Sequence, residues 1–158
     1  MIPCLYASTE TKFDHNGIGK LADAQSCIVT EKRNGSFELE MVYPADGIHA
    51  EQLEEGNIIL AKPSDTGRSQ PFRIYKIATP IDGKLTVKAR HISYQLNFIT
   101  VSPFATTGCT GALAGLRNHA ASECPFEVWT DISSNASFRL SVPSSFRNCL
   151  GGIDGSVL

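Results

Sequence analysis

The chain has 158 residues, of which 42% are hydrophobic and 19% charged, with a formal net charge of −2. This is enough apolar material for one ordinary domain or two small lobes, and the near-neutral balance leaves no electrostatic footprint for nucleic acid or anionic lipid. Apolar runs such as Ile58-Ile59-Leu60-Ala61 fall far short of a membrane span.

Ile2 to Tyr6 reads as a short apolar segment, and the polar, glycine-bearing stretch Ser8 to Gly19 as a loop. Cys27–Arg33 and Ser36–Tyr43 are strand-like and flank Asn34-Gly35, a dipeptide suited to the two positive-φ positions of a type I′ turn. Pairing outward from that turn predicts Lys32 opposite Phe37, Thr30 opposite Leu39 and Ile28 opposite Met41. Phe37, Leu39, Met41 and Ile28 then share an inward face, while Glu31, Glu38 and Glu40 face outward, with Glu31 directly opposite Glu38. Pro44-Ala45-Asp46-Gly47 stops the second strand with a fixed corner. Ile48 to Glu55 suits one helical turn. Ile58–Lys62 is a strand ended by Pro63, and Ser64–Pro71 is loop. Phe72–Ala78 and Lys84–Arg90 flank Asp82-Gly83, a second hairpin signal with Pro80 just before it. Five or six strands at this spacing predict a small antiparallel barrel or sandwich.

The character changes near Pro103. Thr110–His119 reads as a short helix with Leu113 and Leu116 three apart, cappable by Thr107 or Thr110 and weakened by Gly111 and Gly115. Pro125–Thr130 reads as a strand with Phe126 and Val128 on one side and Trp129 on the other. Phe138–Val142 is a strand stopped by Pro143. Ser144 or Ser145 can cap a brief helix through Leu150, with Gly151 as its stop. The terminal Val157-Leu158 pair carries no polar tail, and the expectation is a fragment of a longer chain. The fold class expected is mainly β with an α+β part: an antiparallel β-barrel or sandwich lobe followed by a small α/β lobe.

Residues that carry chemistry are sparse. The five cysteines (Cys4, Cys27, Cys109, Cys124, Cys149) include no Cys-x-x-Cys pair. No basic region followed by a long apolar segment is present at the N-terminus, so the expectation is a soluble, cytosolically synthesised protein with reduced thiols, Cys27 and Cys149 serving as small core residues. Cys109, His119 and Cys124 are the best candidate for a metal site or a nucleophile with its base. No Cys-x-x-Cys knuckle or fourth ligand is evident, and a Cys–His dyad needs an orienting partner and an oxyanion donor, for which only Asn118 or Asp131 offer themselves, so ordinary residues around a small helix are the favoured reading. Arg90-His91-Ile92-Ser93-Tyr94-Gln95-Leu96 could clamp a ligand, with His91 as acid or base, but a strand end whose polar groups satisfy backbone or interlobe hydrogen bonds is favoured. Gly111-x-x-x-Gly115 lacks the other elements of a phosphate or dinucleotide loop and predicts close approach of a neighbouring element. Glu54-Glu55 reads as solvated surface, and Asp46 and Asp82 as turn residues. No catalytic, cofactor-binding or metal-ligating residue is assigned.

Several motifs occur together in order. The hairpin Asn34-Gly35 is followed by Glu38-Leu39-Glu40-Met41-x-Tyr43-Pro44-x-Asp46-Gly47, Ile59-Leu60-Ala61-Lys62-Pro63 and Pro71-Phe72-Arg73-Ile74-Tyr75. Ala89-Arg90-His91-Ile92-Ser93-Tyr94-x-Leu96, Cys124-Pro125-Phe126-x-x-Trp129-Thr130-Asp131 and Leu150-Gly151-Gly152-x-x-Gly155-Ser156-x-Leu158 complete the run. This series resembles the N-terminal region of minor structural (tail) proteins of phages and prophages of Gram-positive bacteria, a family with prophage tail endopeptidase-like and tail-associated lysin members. The resemblance implies a baseplate-hub-like fold, with a tube-like β-barrel lobe over residues 1–98 and a small, truncated α/β lobe over 99–158. It implies a structural, non-enzymatic virion component at the tail tip, acting in assembly and in host attachment or DNA delivery. The implied partners are further copies in a homotrimer, the distal tail protein and other tail-tip proteins, with no direct nucleic-acid or membrane contact and no cofactor. Two alternatives stand beside it: a cell-wall endopeptidase module using Cys109 and His119, and a host-wall carbohydrate-binding domain stacking sugars on Trp129 and Tyr94.

Overall fold

The strand signals of the first ninety residues resolve into one antiparallel sheet in a computed structural model that describes residues 2–32, 35–78 and 82–151. The strands are β1 (Cys4–Tyr6), β2 (Gly19–Lys20), β3 (Ser26–Glu31), β4 (Phe37–Pro44), β5 (Ile58–Ala61), β6 (Gln70–Ala78) and β7 (Lys84–His91). Their spatial order is β2-β1-β5-β6-β7-β4-β3. The two edge strands, β2 and β3, are consecutive in the chain and joined by residues 21–25 alone. Laid flat, seven strands would hold their edges about 29 Å apart, at about 4.8 Å per spacing. A link that short reaches roughly 21 Å even when fully extended. The sheet therefore has to curl, and it forms a half-barrel.

The concave face holds the core. Leu5, Ile59, Phe72, Ile74, Leu39, Met41, Val87 and Ala89 are buried there, and Ala50 and Leu53 of a 3₁₀ turn (Ala50–Gln52) pack into the same cluster. Burying a side chain the size of Leu39 or Met41 contributes about 1.5–3 kcal/mol. Outside β1 and β5 a second cluster of Cys4, Tyr6, Ile58 and Leu60 is covered by Phe13 from the 8–19 loop. Tyr6 meets Phe13 edge to face at 5.1 Å, and its hydroxyl donates to the His15 carbonyl.

The β3–β4 register corrects the expected hairpin. Lys32 N–H donates to the Ser36 carbonyl (2.8 Å) and Gly35 N–H to the Lys32 carbonyl (2.9 Å), so three residues lie between the last paired positions. The expected two-residue turn includes Asn34, which lies outside the described residues. The extra loop residue shifts β3 by one position: Val29 pairs with Leu39, Ile28 with Glu40 and Thr30 with Glu38. A one-residue slip exchanges the faces of a strand. Cys27 and Val29 accordingly pack on the core, and Ile28, expected inside, is 62% exposed. Glu31 lies opposite Phe37, and the expected Glu31–Glu38 repulsion does not arise. The second hairpin signal is only partly described, since Pro80 lies outside the described residues; Gly83 adopts φ +74°.

By its internal contacts the chain divides into two compact units, residues 1–92 and 93–158. The second unit contains the remainder of a 3₁₀ segment (Ile92–Phe98), β8 (Thr100–Val101), β9 (Phe104–Thr107), α1 (Cys109–Asn118), β10 (Ser137–Leu140), β11 (Ser144–Ser145) and α2 (Phe146–Cys149). β9 pairs with β10 and β8 with β11, both antiparallel. Leu96, Ile99, Val101, Leu116, Cys124, Leu140 and Phe146 form its core. The close approach predicted for the glycine pair occurs: a Cβ on Gly115 would lie 2.1 Å from Phe104 Cε2, and one on Gly111 2.7 Å from Thr106 Oγ1. Ser145 caps α2, its Oγ accepting from Asn148 N–H at 3.2 Å. Gly108, not Thr107 or Thr110, occupies the N-cap of α1, which has no side-chain cap. Residues 125–130, expected as a strand, join no sheet among the described residues. Phe126 and Val128 nevertheless pack on the second core while Trp129 points out, so the alternation is real without a ladder partner.

Candidate functional site

The cysteine–histidine candidates are held apart. Cys109 begins α1 and His119 is its C-cap, so the helix separates them by roughly 15 Å at 1.5 Å per residue. His119 lies flat on the Phe104 ring, with centroids 4.8 Å apart and planes 6° from parallel. Cys124 is buried in the second core with its thiol 3.8 Å from the Phe126 carbonyl. Among the described residues no group of three or more His, Cys, Asp or Glu is placed to hold a metal ion. Burial pushes the Cys27 thiol up to about 11 and raises that of Cys149, as expected of thiols packed against apolar side chains.

The Arg90–Gln95 stretch does structural work. The His91 ring stacks on Phe37 (4.5 Å) and its Nε2 meets Gln70 Oε1 at 3.1 Å. In the second unit Arg147 donates to Ser93 Oγ (3.0 Å) and lies over the Tyr94 ring (4.2 Å). One face of Tyr94 is thereby occupied by a guanidinium, which removes it as an open platform for a sugar on that side. Of the two expected stacking residues only Trp129, 81% exposed, presents a free ring.

What the first unit does assemble is a charged outer face on β4, β7 and β6. Register places Glu38 opposite Arg90 and Glu40 opposite Lys88, and the ion pairs close at 3.1 Å each. The Glu40 carboxylate raises the Lys88 ammonium above its ordinary value through a hydrogen bond and charge attraction. A bulge between Ile74 and Lys76 in β6 turns Tyr75 outward, and the Arg90 guanidinium stacks over its ring at 4.3 Å. A hollow of about 280 Å³ lies here, lined by Thr30, Lys32, Glu38, Glu40, Tyr75 and Lys88. The sequence showed the two glutamates facing outward but not Tyr75. The signal for it is the three-residue step between Ile74 and Ile77, both of which reach the core only if a residue is bulged out between them.

The arrangement offers stripes of opposite sign side by side, acidic on β4 and basic on β7, with Glu38 paired to Arg90 and Glu40 to Lys88 within the sheet. No helix of the described residues is long and apolar enough to cross a membrane. Comparison with known proteins yields no match to this chain among family models, curated protein sequences or solved structures.

Proposed function

We propose that this chain is the N-terminal module of a tail-tip hub protein of a siphophage or prophage, a structural virion component that binds further copies of itself and the distal tail protein. The family part of the reading rests on the ordered motif resemblance. The structural observation that supports it is the half-barrel whose outer face sets Glu38 and Glu40 beside Lys88 and Arg90. Adjacent stripes of opposite sign suit a symmetric assembly, because a rotated copy presents each stripe with its complement. Such exposed charges steer and orient association more than they hold it.

The test is the oligomeric state of the full-length protein by light scattering, with and without a distal tail protein of the same phage or prophage. A trimer that forms a complex with the distal tail protein is the expected result. A monomer that fails to associate overturns the proposal. The second reading, recognition of a wall polysaccharide, is favoured by the exposed Trp129 ring and weakened by the covered face of Tyr94.

A further inference from the structure

The segment Pro125–Asp131 has the side-chain pattern of a strand but joins no ladder among the described residues, and its backbone bends at Phe126. Phe126, Val128 and Thr130 are half-buried, whereas Pro125, Glu127, Trp129 and Asp131 are exposed, a strict period of two. Phe126 and Val128 anchor it to the second core. No backbone–backbone hydrogen bond involves residues 125–131 among the described residues; the only local bonds are Cys124 Sγ to the Phe126 carbonyl and Ile132 N–H to Thr130 Oγ1. Six consecutive N–H groups, from Phe126 to Asp131, thus have no backbone acceptor among the described residues, on a segment whose tryptophan is 81% exposed. A ring of that size left in water on an ordered, half-buried segment is an unusual use of a residue that dominates interfaces when covered.

We propose that this segment is a docking strand, completed by an extended strand of a partner protein that carries basic residues at alternate positions. The backbone supplies the ladder, as in other strand-addition complexes, and the side chains select the partner. Glu127 and Asp131 flank Trp129 at i−2 and i+2, so the exposed face reads acid–aromatic–acid. Cross-strand neighbours on one face lie close enough for opposite charges to attract and like charges to repel. A partner with Lys or Arg opposite Glu127 and Asp131 is therefore selected, and an aliphatic or aromatic residue opposite Trp129 covers the ring. A second copy of the same segment is disfavoured, because antiparallel self-pairing centred on Trp129 sets Glu127 against Asp131. The inference does not depend on the tail-tip reading.

Fluorescein-labelled peptides titrated into the full chain, followed by anisotropy and by hydrogen exchange of the 126–131 amides, test it. The probes are an alternating Lys/Val heptapeptide, its Glu/Val counterpart, and a Lys/Val peptide of the same charge interrupted by prolines that remove its donors. Saturable binding of the first peptide alone, with slowed exchange at Val128 and Trp129, is expected. Trp129→Ala, a change at an exposed position, should weaken it at least tenfold, and the double change Glu127→Lys with Asp131→Lys should transfer binding to the Glu/Val peptide. Equal binding of the proline-interrupted peptide overturns strand addition in favour of charge attraction alone. Absence of saturable peptide binding overturns the proposal, and so does quenching of Trp129 by soluble wall glycan in its place.

Discussion

Replacing Gly115 by alanine sets two effects of known sign against each other. Alanine is the better helix former, and the exchange inside α1 contributes about 1 kcal/mol of stability by itself. The added Cβ, however, would lie 2.1 Å from Phe104 Cε2 and 2.8 Å from Cδ2 and Cζ. Carbon atoms in contact sit at roughly 3.5–4.0 Å, so the ring must move by more than an ångström. It has little room to do so, being stacked on His119 at 4.8 Å and tilted against Phe138 at 5.4 Å. Overpacking of this kind costs about 1–3 kcal/mol, and an overlap this deep belongs at the upper end. The expected result for Gly115→Ala is a net loss of about 2 kcal/mol, read from the urea transition of the second unit by far-UV circular dichroism. In a Phe104→Val background, which keeps a strand-favouring residue in β9 and removes the ring, the same change should become stabilising by about 1 kcal/mol. A Gly115→Ala variant at least as stable as the parent refutes the packing argument. So does a loss that persists unchanged in the Phe104→Val background.

The β3 register predicts that Ile28→Thr, at a 62% exposed position, leaves the thermal midpoint nearly unchanged, whereas Leu39→Ala in the first core costs about 2–5 kcal/mol. The two-residue-turn register predicts a large loss for both. Because burial raises the Cys27 thiol from 9.0 to about 11, the unfolded chain loses that proton first as the pH rises. Between those values the unfolded state binds fewer protons than the folded one, so stability falls with rising pH; Cys27→Ala should flatten that part of a pH-dependent denaturation series. Alkylation followed by peptide mass spectrometry should also find Cys27 unreactive at pH 8 in the folded chain and reactive in urea. Tyr6→Phe removes the hydroxyl that donates to the His15 carbonyl and should cost about 1 kcal/mol, with faster proteolysis within the 8–19 loop.

Side-chain alternation was legible wherever a core stood behind it. Leu39 and Met41 point inward, Glu38 and Glu40 outward, and Phe126 and Val128 face a core, each as the spacing predicts. The misreadings concern the partner across from a strand. Ile28 was placed inside because Asn34-Gly35 signals a two-residue turn, whereas the observed pairing leaves three residues between Lys32 and Ser36, and nothing in β3 itself distinguishes the two registers. Cys27 and Val29 are as apolar as Ile28, so either face could have been buried. Thr107 and Thr110 are good capping residues, yet the turn from β9 into α1 puts Gly108 at the cap position, and it is the path of the chain that decides this. Helix signals carried by residues within one turn survived: Ser145 caps α2 as its spacing predicts, because the cap and the N–H it accepts from are three residues apart.

The same distinction explains why the candidate chemistry dissolved while two surfaces emerged. Cys109, His119 and Cys124 are close in sequence, but a ten-residue helix separates Cys109 from His119, while His119 stacks on Phe104 and Cys124 is buried in the second core. Glu38, Glu40, Lys88 and Arg90 are up to 52 positions apart and meet because β4 and β7 pair in register. Sequence nearness predicts contact along a helix at three or four residues, and across a sheet only within a hairpin. Residues 125–131 are the instructive remainder. Their exposure pattern is that of a strand, Phe126 and Val128 are seated on the second core, and no ladder partner is found within the described residues. A strand signal that finds no partner among the described residues is what an added strand would complete, and the exposed Trp129 lies on that same segment.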